Sequence, residues 1–524
     1  MRPERDGCVP AQRSGRRVIM AQISASMRVG PIATSAYTPA RLIGLILGPL
    51  LFALVLFLPT PAGMSPEGQK VAATTFWIAI WWMTEAIPIP VTSLLPLVLL
   101  PLTGALSPAE LSPGYANPLI FVFLGGFMIA LALERWSLHR RIALRIITVV
   151  GCSPTRIVLG FMIATGFLSM WISNTATAMM MVPMGTAVIL QFTDLLKRDG
   201  KAVEQDTGSR LGFGTALMLG IAYSASIGGI ATLVGTPPNI VLAAAASELL
   251  GYQITFAEWM LVGVPFATVG LLATWFYLTR IAYKASNQEI PGGLDVVRGE
   301  LSQLGPMSYA ERAVLVVFGA VALAWIVQPF LLAPVFPMVN DAVIALIGAV
   351  VLFALPARNQ EGAPTFLLTW EDAKKLPWGV VLLFGGGLAL ADAFKKSGLV
   401  DWMGGSLSAF SSLPNLFLLV VVVAMVIFLT EITSNTATAT MLMPVMVALG
   451  MAAGMHPLLL MAPAAIAASC AFMLPVATPP NAIVFGSGAV TVPQMARAGL
   501  WLNLASIALI SVIGYWLMPF MWGL

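Results

Sequence analysis

"SNTATAMMMVPM" at Ser173–Met184 and "SNTATATMLMPV" at Ser434–Val445 are two versions of one motif. Each small polar cluster interrupts a long apolar stretch, 155–192 in the first instance and 413–449 in the second. A single run of Ser, Thr and Ala would need no explanation beyond close helix packing. Two copies, each centred in an apolar stretch, read instead as the tips of two helical hairpins that enter and leave a bilayer on the same side.

The surrounding chain supplies the bilayer context. Of 524 residues, 58% are apolar and 10% are charged, against about 25% charged in ordinary soluble domains. Leu42–Pro59 runs 18 residues without a charge, within the roughly 17–25 that a membrane-crossing helix needs. Repeating this reading gives eleven spans besides the two hairpins, near 42–59, 72–87, 91–104, 119–134, 211–231, 259–283, 312–333, 342–356, 379–394, 457–475 and 499–521. The formal charge of +4 comes from Lys and Arg in short loops, which read as topology signals and not as a nucleic-acid surface. Cys8, Cys152 and Cys470 lack the paired spacing of a metal or redox site.

Residues 1–40 form a basic tail, expected to be disordered and cytoplasmic, with Met20 and Met27 as alternative starts. The apolar segment that follows is too long for a cleaved signal peptide and has no small-residue cleavage pattern. Arg135, Arg140, Arg141, Arg145 and Arg156 precede the first hairpin, and Lys197 and Arg198 follow it. The positive-inside rule then sets the amino terminus in the cytoplasm and the carboxyl terminus outside, in a multi-pass protein of the plasma (inner) membrane. "SLHRRIALRIITVVG" (Ser137–Gly151) is short and amphipathic, as expected of a helix lying in the interface.

The duplication extends further. "FVFLGGFMIALALE" (Phe121–Glu134) pairs with "VVLLFGGGLALADAF" (Val380–Phe394), and "VGTPPNIV" (Val234–Val241) with "VATPPNAIV" (Val476–Val484). An odd number of crossings separates the copies, so the halves 41–283 and 312–524, joined by a cytoplasmic linker 284–311, face opposite ways. The fold class is therefore an all-α polytopic membrane protein with about 11 transmembrane helices and two re-entrant hairpins in an inverted repeat. Such repeats place substrate and ion sites near the midplane of secondary transporters.

The motifs suit that role chemically. Thr236 and Thr478 are placed to cap helices, with Pro237 and Pro479 in the first turn, where a missing N–H costs little. Each break leaves a carbonyl end, at Gly235 and at Ala477. Ser173, Asn174 and Thr175, like Ser434, Asn435 and Thr436, would open helical arms whose amide ends attract anions. Hydroxyl, amide and carbonyl oxygens suit a hard cation such as Na⁺. Neither motif contains Lys, Arg or His, so a bound anion would depend on helix ends and coupled cations for neutralisation. Of the acids near apolar segments, Glu431 is expected to brace the hairpin or tune the site, and Glu85 to be interfacial; Asp392 is a further candidate. His139 and His456 read as surface or packing residues, Trp81, Trp82 and Trp171 as interfacial or packing aromatics, and Met179–Met184 as helix core.

With these residues in hand, the chain resembles the divalent anion:sodium symporter family from about residue 40 onward. "EITSNTATATMLMPV" is similar to that family's signature around its second hairpin. The resemblance implies eleven spans and two re-entrant hairpins, a homodimer divided into scaffold and transport domains, and elevator-type movement. It implies one Na⁺ site at Ser169, Ser173, Asn174 and the Gly235 carbonyl, and a second at Thr430, Thr433, Asn435 and the Ala477 carbonyl. Substrate carboxylates would meet Ser173, Asn174, Thr175, Ser434, Asn435 and Thr436, with Thr236, Pro237, Thr478 and Pro479 lining the cavity. Family members differ over C4-dicarboxylates, citrate and sulfate, and over symport and exchange. Sodium-coupled C4-dicarboxylate transport is favoured, because a small uncharged lining offers no basic group for a third carboxylate. An enzyme would need a buried nucleophile–base or metal-ligand group, and a channel would not need two inverted helix breaks.

Overall fold

The structure, a computed structural model, describes residues 38–198, 207–284, 294–359, 361–407 and 412–524. Nearly all of the basic tail, with Cys8, and residues 285–293 of the linker lie outside these ranges.

Helix starts follow from the sequence. Thr38, Ser65, Ser107, Asn117 and Ser153 each accept a bond from a first-turn amide and are each followed by proline. The side chain satisfies one free helix N–H, and proline lacks a donor where none is needed. The first half comprises α1 (Pro39–Phe57), α2 (Pro66–Thr84), α3 (Ile89–Thr92), α4 (Leu95–Leu102), α5 (Pro108–Tyr115) and α6 (Pro118–Arg135). It continues through α7 (Leu138–Val150), α8 (Pro154–Ser169), α9 (Asn174–Arg198), α10 (Thr207–Gly229), α11 (Pro237–Ala245) and α12 (Phe256–Phe276). After α13 (Asp295–Gln303) the second half runs α14 (Tyr309–Val327), α15 (Asp341–Ala354), α16 (Trp370–Ala373), α17 (Trp378–Lys396) and α18 (Leu399–Ser406). It ends with α19 (Asn415–Thr430), α20 (Asn435–Ala452), α21 (Leu458–Ala468), α22 (Pro479–Gly486), α23 (Val492–Val512) and α24 (Met518–Trp522).

Among the described residues, eight helices are long and apolar enough to cross a membrane, and they include the second arm of each hairpin. The expected spans at 91–104, 342–356 and 457–475 form shorter apolar helices. In the last of these, α21 stops at Ala468 and an unwound segment leads into α22. One departure from an all-helical chain is a short antiparallel pair, β1 (Pro356–Arg358) and β2 (Pro364–Phe366), in register at Ala357 and Thr365. Its turn contains Gly362 at φ +81°, a conformation that favours glycine.

Contacts at the hairpin ends set their direction. Val296 N donates to Gln191 Oε1 (3.2 Å) and Arg298 Nη2 lies 3.7 Å from Cys152 Sγ. Cys152 precedes α8 and Gln191 lies late in α9, so both arms of the first hairpin end beside α13. Glycine lets α10 pack closely on the first arm: a Cβ at Gly228 of α10 would sit 2.3 Å from the Gly166 carbonyl of α8.

The amphipathic helix α7 is tied to the start of α14 by a buried ion pair. Arg141 Nε meets Glu311 Oε1 at 2.7 Å, and its other nitrogens donate to the Gly305 (2.8 Å) and Leu304 (3.1 Å) carbonyls. The two side chains are 4% and 8% exposed, so neither charge has water to fall back on. Removing one partner from a buried pair costs about 3–5 kcal/mol, whereas an apolar replacement of both is often neutral. Arg141→Met should therefore lower the Tm of the detergent-solubilised protein sharply, and Arg141→Met/Glu311→Met should recover most of the loss in the same thermal scan.

Candidate functional site

Four helices begin at one cavity. At the first hairpin tip, Ser173 Oγ accepts from Ala176 N (3.2 Å) and its carbonyl from Thr177 N (3.0 Å), so α9 starts at Asn174. At the second, Ser434 is extended and its carbonyl accepts from Thr438 N (2.8 Å), but its hydroxyl caps nothing. Thr478 Oγ1 accepts from Asn481 N (3.3 Å) and caps α22 as expected. Thr236 holds the same position before α11 without a side-chain cap, so the expected capping is met by only one of the two threonines.

The cavity measures about 1200 Å³ and is lined by Ser173, Asn174, Thr175, Thr236, Pro237, Ser434, Asn435, Thr436, Thr478 and Pro479. Gly235, Ala477 and Thr433 also line it. Every residue proposed from sequence to meet a substrate thus faces one space. The amides of Asn174 and Thr175, and of Asn435 and Thr436, precede the first internal helix bond and are free to donate to a ligand.

Ser169 and Thr430 are different: both are 0% exposed and lie beneath the cavity wall. Ser169 Oγ is 2.5 Å from the Asn174 amide and 2.6 Å from the Ala225 carbonyl. Thr430 Oγ1 is 2.7 Å from Asn435 Oδ1 and 3.0 Å from the Ala468 carbonyl. The two clusters match atom for atom: hydroxyl, Asn amide, backbone carbonyl. The Asn174 amide turns its nitrogen to this cluster, donating to Ser169 Oγ (2.5 Å), Ala225 O (3.0 Å) and Gly235 O (3.3 Å). A half-turn of the amide would bring its oxygen inward instead, and the set would then be neutral oxygen throughout, which suits Na⁺. Thr433 is turned elsewhere, to Leu429 O (2.8 Å) and Thr438 Oγ1 (2.6 Å). Sequence reading missed the Ala225 and Ala468 carbonyls, because main-chain ligands leave no mark in residue identity.

The broken segments are braced from within. Asn239 Nδ2 reaches the carbonyls of Gly229 (3.2 Å), Ile230 (3.2 Å) and Thr232 (2.7 Å). Its repeat partner Asn481 reaches those of Ala471 and Leu474, both at 3.1 Å. The final Asn of each Thr-Pro-Pro-Asn run is therefore structural, a role that its recurrence at one offset in both copies could have signalled. Beyond these braces the halves diverge. Thr232 Oγ1 donates to the Met170 carbonyl (2.5 Å). In the second half, Glu431 accepts from the amides of Phe472 (2.7 Å), Met473 (2.9 Å) and Leu474 (3.1 Å) and from Asn503 Nδ2 (2.7 Å). The bracing role expected of Glu431 is what its contacts describe.

Charges appear at the cavity mouth, where Arg41, Glu85, Glu134 and Lys375 join the lining. Glu85 is 3.6 Å from Arg41, and Asp392 pairs with Lys396 (2.6 Å), away from the motifs. Arg135 binds Asp372 and donates to Thr369 Oγ1 and Thr365 Oγ1, both at 3.0 Å, which fastens the β1–β2 segment to the end of α6. Burial pushes the Asp372 carboxyl up, but the Thr369 hydroxyl and amide together with Arg135 outweigh it and hold the group below the usual carboxylate range. Burial depresses the His139 imidazole, aided by Arg140 and opposed by its bond to the Leu133 carbonyl, so this packing histidine is neutral at pH 7. Trp171 stacks on Phe256 at the first hairpin tip and is a packing residue. Met179 departs from the expected helix core: helical periodicity turns it to the cavity, 55% exposed, while Met181 is buried.

Known proteins resemble the chain in sequence and in fold. The chain is 50% identical over 486 residues, 92% of each chain, to the sodium-dependent dicarboxylate transporter SdcS of Staphylococcus saprophyticus. It is 48% identical over 490 residues, 93% of each chain, to the protein of the same name from Staphylococcus aureus strain USA300. In fold it is similar to the YdaH transporter of Alcanivorax borkumensis, with a TM-score of 0.53 at 14% identity, covering 77% of this chain and 86% of that one. The family model for the sodium:sulfate symporter transmembrane region matches residues 40–522. The protein is a polytopic membrane transporter and belongs to this sodium:sulfate, or divalent anion:sodium, symporter family.

Proposed function

We propose that the protein is a secondary active transporter that couples Na⁺ to the movement of C4-dicarboxylates such as succinate, fumarate and malate. The observation that carries this reading is the pair of matching hydroxyl–amide–carbonyl clusters, Ser169–Asn174–Ala225 and Thr430–Asn435–Ala468, set beneath an uncharged cavity floor. In this reading each cluster holds one ion, with Ser173 and Gly235 completing the first, and Thr433 and Ala477 drawn in at the second. The S. saprophyticus and S. aureus relatives are named as sodium-dependent dicarboxylate transporters, which supports the same assignment.

Electrostatics decide why cations are needed. Each helix amino terminus carries roughly half a positive charge, and four of them meet at the cavity. Prolines at the start of α11 and α22 remove N–H donors there, so carboxylate hydrogen bonds fall to Ser173, Asn174 and Thr175 on one hairpin and Ser434, Asn435 and Thr436 on the other. These partial charges belong to the moving hairpins and favour the anion on both sides of the membrane alike, whereas co-bound Na⁺ ions, two or more in this reading, tie its movement to the sodium gradient. A third carboxylate, as in citrate, would find its first basic groups at Arg41 and Lys375 on the mouth. Sulfate, a dianion named in the family's description, is the second reading, since the same helix ends can hold it. Exchange in place of symport is the other alternative.

We place the cavity mouth, with Arg41 and Lys375, on the cytoplasmic side of the plasma membrane, the amino terminus inside and the carboxyl terminus outside. Eleven crossings then bring the halves 41–283 and 312–524 into an inverted repeat around linker 284–311. Alternating access follows from elevator movement of the hairpins against a scaffold that pairs with a second copy in a homodimer.

In proteoliposomes, labelled succinate should accumulate when an inward Na⁺ gradient is imposed and should not when K⁺ replaces it. Uptake that ignores Na⁺ but requires internal dicarboxylate would favour exchange. Asn174→Ala and Asn435→Ala should each reduce uptake to background while leaving Tm and elution profile near wild type. Near-normal uptake in both variants would refute the proposed site.

A further inference from the structure

The two ion clusters match in ligands but not in charge. Glu431, 3% exposed, directly follows Thr430, and its counterpart in the first half is Met170. Four donors hold its carboxylate: the amides of Phe472, Met473 and Leu474 and the side chain of Asn503, at 2.7–3.1 Å. All four are N–H donors to its oxygens, the arrangement that an ionised carboxylate accepts, and none of the ion pairs among the described residues includes Glu431. The loop it grips lies between Ala468, whose carbonyl meets Thr430, and Ala477 at the cavity wall. A fixed negative charge in a low-dielectric interior acts strongly on a neighbouring cation.

We infer that Glu431 is a positioning residue that also supplies the fixed charge of the second ion site, making that site bind Na⁺ more tightly than its neutral twin and fill first. The inference rests on the sodium-coupled reading above. Glu431 touches neither ion nor substrate in this arrangement; it acts through the loop and through its field.

The test uses the full-length protein, with Na⁺ titrations read as Tm in detergent and as initial succinate uptake in proteoliposomes. Glu431→Gln should raise the Na⁺ concentration for half-effect about tenfold in both readouts, the size of a single screened charge. Glu431→Gln/Asn503→Asp returns a carboxylate to the same hydrogen-bonded cluster and should bring the half-effect concentration back near wild type. Glu431→Asp keeps the charge on a shorter arm, so its Tm in the absence of Na⁺ should fall while its Na⁺ half-effect stays near wild type; this variant serves even if Glu431→Gln does not fold. A wild-type Na⁺ half-effect in folded Glu431→Gln, a double variant as weak as Glu431→Gln, or Glu431→Asp weakened like Glu431→Gln would each overturn the inference. If Na⁺ changes neither Tm nor uptake of the wild type, the sodium reading itself fails, which is a separate outcome.

Discussion

The structure depends on one constraint: a helix broken at membrane depth must have its loose carbonyls and amides satisfied by protein. Asn239 and Asn481 meet it, each spanning the unwound segment that precedes its own helix. Without such braces, several unpaired backbone groups would face hydrocarbon or another helix, each costing several kcal/mol. Because the breaks are held from within, the main chain can present carbonyls and helix starts to a cavity, and side chains at the hairpin tips can be small. The Ser, Thr and Asn of the tips would be poor membrane residues alone; beside the braced breaks they become a lining.

Duplication then doubles the arrangement with one change of means. In the first half a threonine side chain on the loop ties it to the backbone of the hairpin tip, Thr232 to Met170. In the second half a side chain on the tip, Glu431, receives the backbone of the loop. Both couple tip to loop, but only the second brings a charge with it. Glycine differs too: at Gly229 an added Cβ would come within 2.6 Å of the Asn174 amide, whereas the position that Asn481 grips is Ala471. Two clusters built on one repeated motif are therefore not interchangeable.

Much of this was legible before any coordinates. Membrane class, hairpins, repeated motifs and the cavity-lining residues followed from composition, from the position of polar clusters in apolar stretches, and from Thr-Pro helix starts. What escaped did so for definable reasons. The carbonyls of Ala225 and Ala468 belong to the main chain and carry no residue signature. Helix α21 stops at Ala468, short of its apolar segment, because hydropathy marks what avoids water and not where a helix unwinds. Thr236 and Thr478 share a motif but not a capping bond, a difference of side-chain rotation that no sequence pattern encodes. Met179 faces the cavity because one helical face must, which a run of methionines conceals.

The Asn174 amide has a bearing on timekeeping in a transport cycle. A ring of oxygens that needs a cation is a trap for a carrier, since it resists being emptied and resists the return journey once empty. On the sodium-coupled reading proposed above, an amide whose nitrogen already donates to Ser169, Ala225 and Gly235 acts as a stopper: it holds the ion-free cluster together with its own hydrogen bonds, which an arriving ion has to displace.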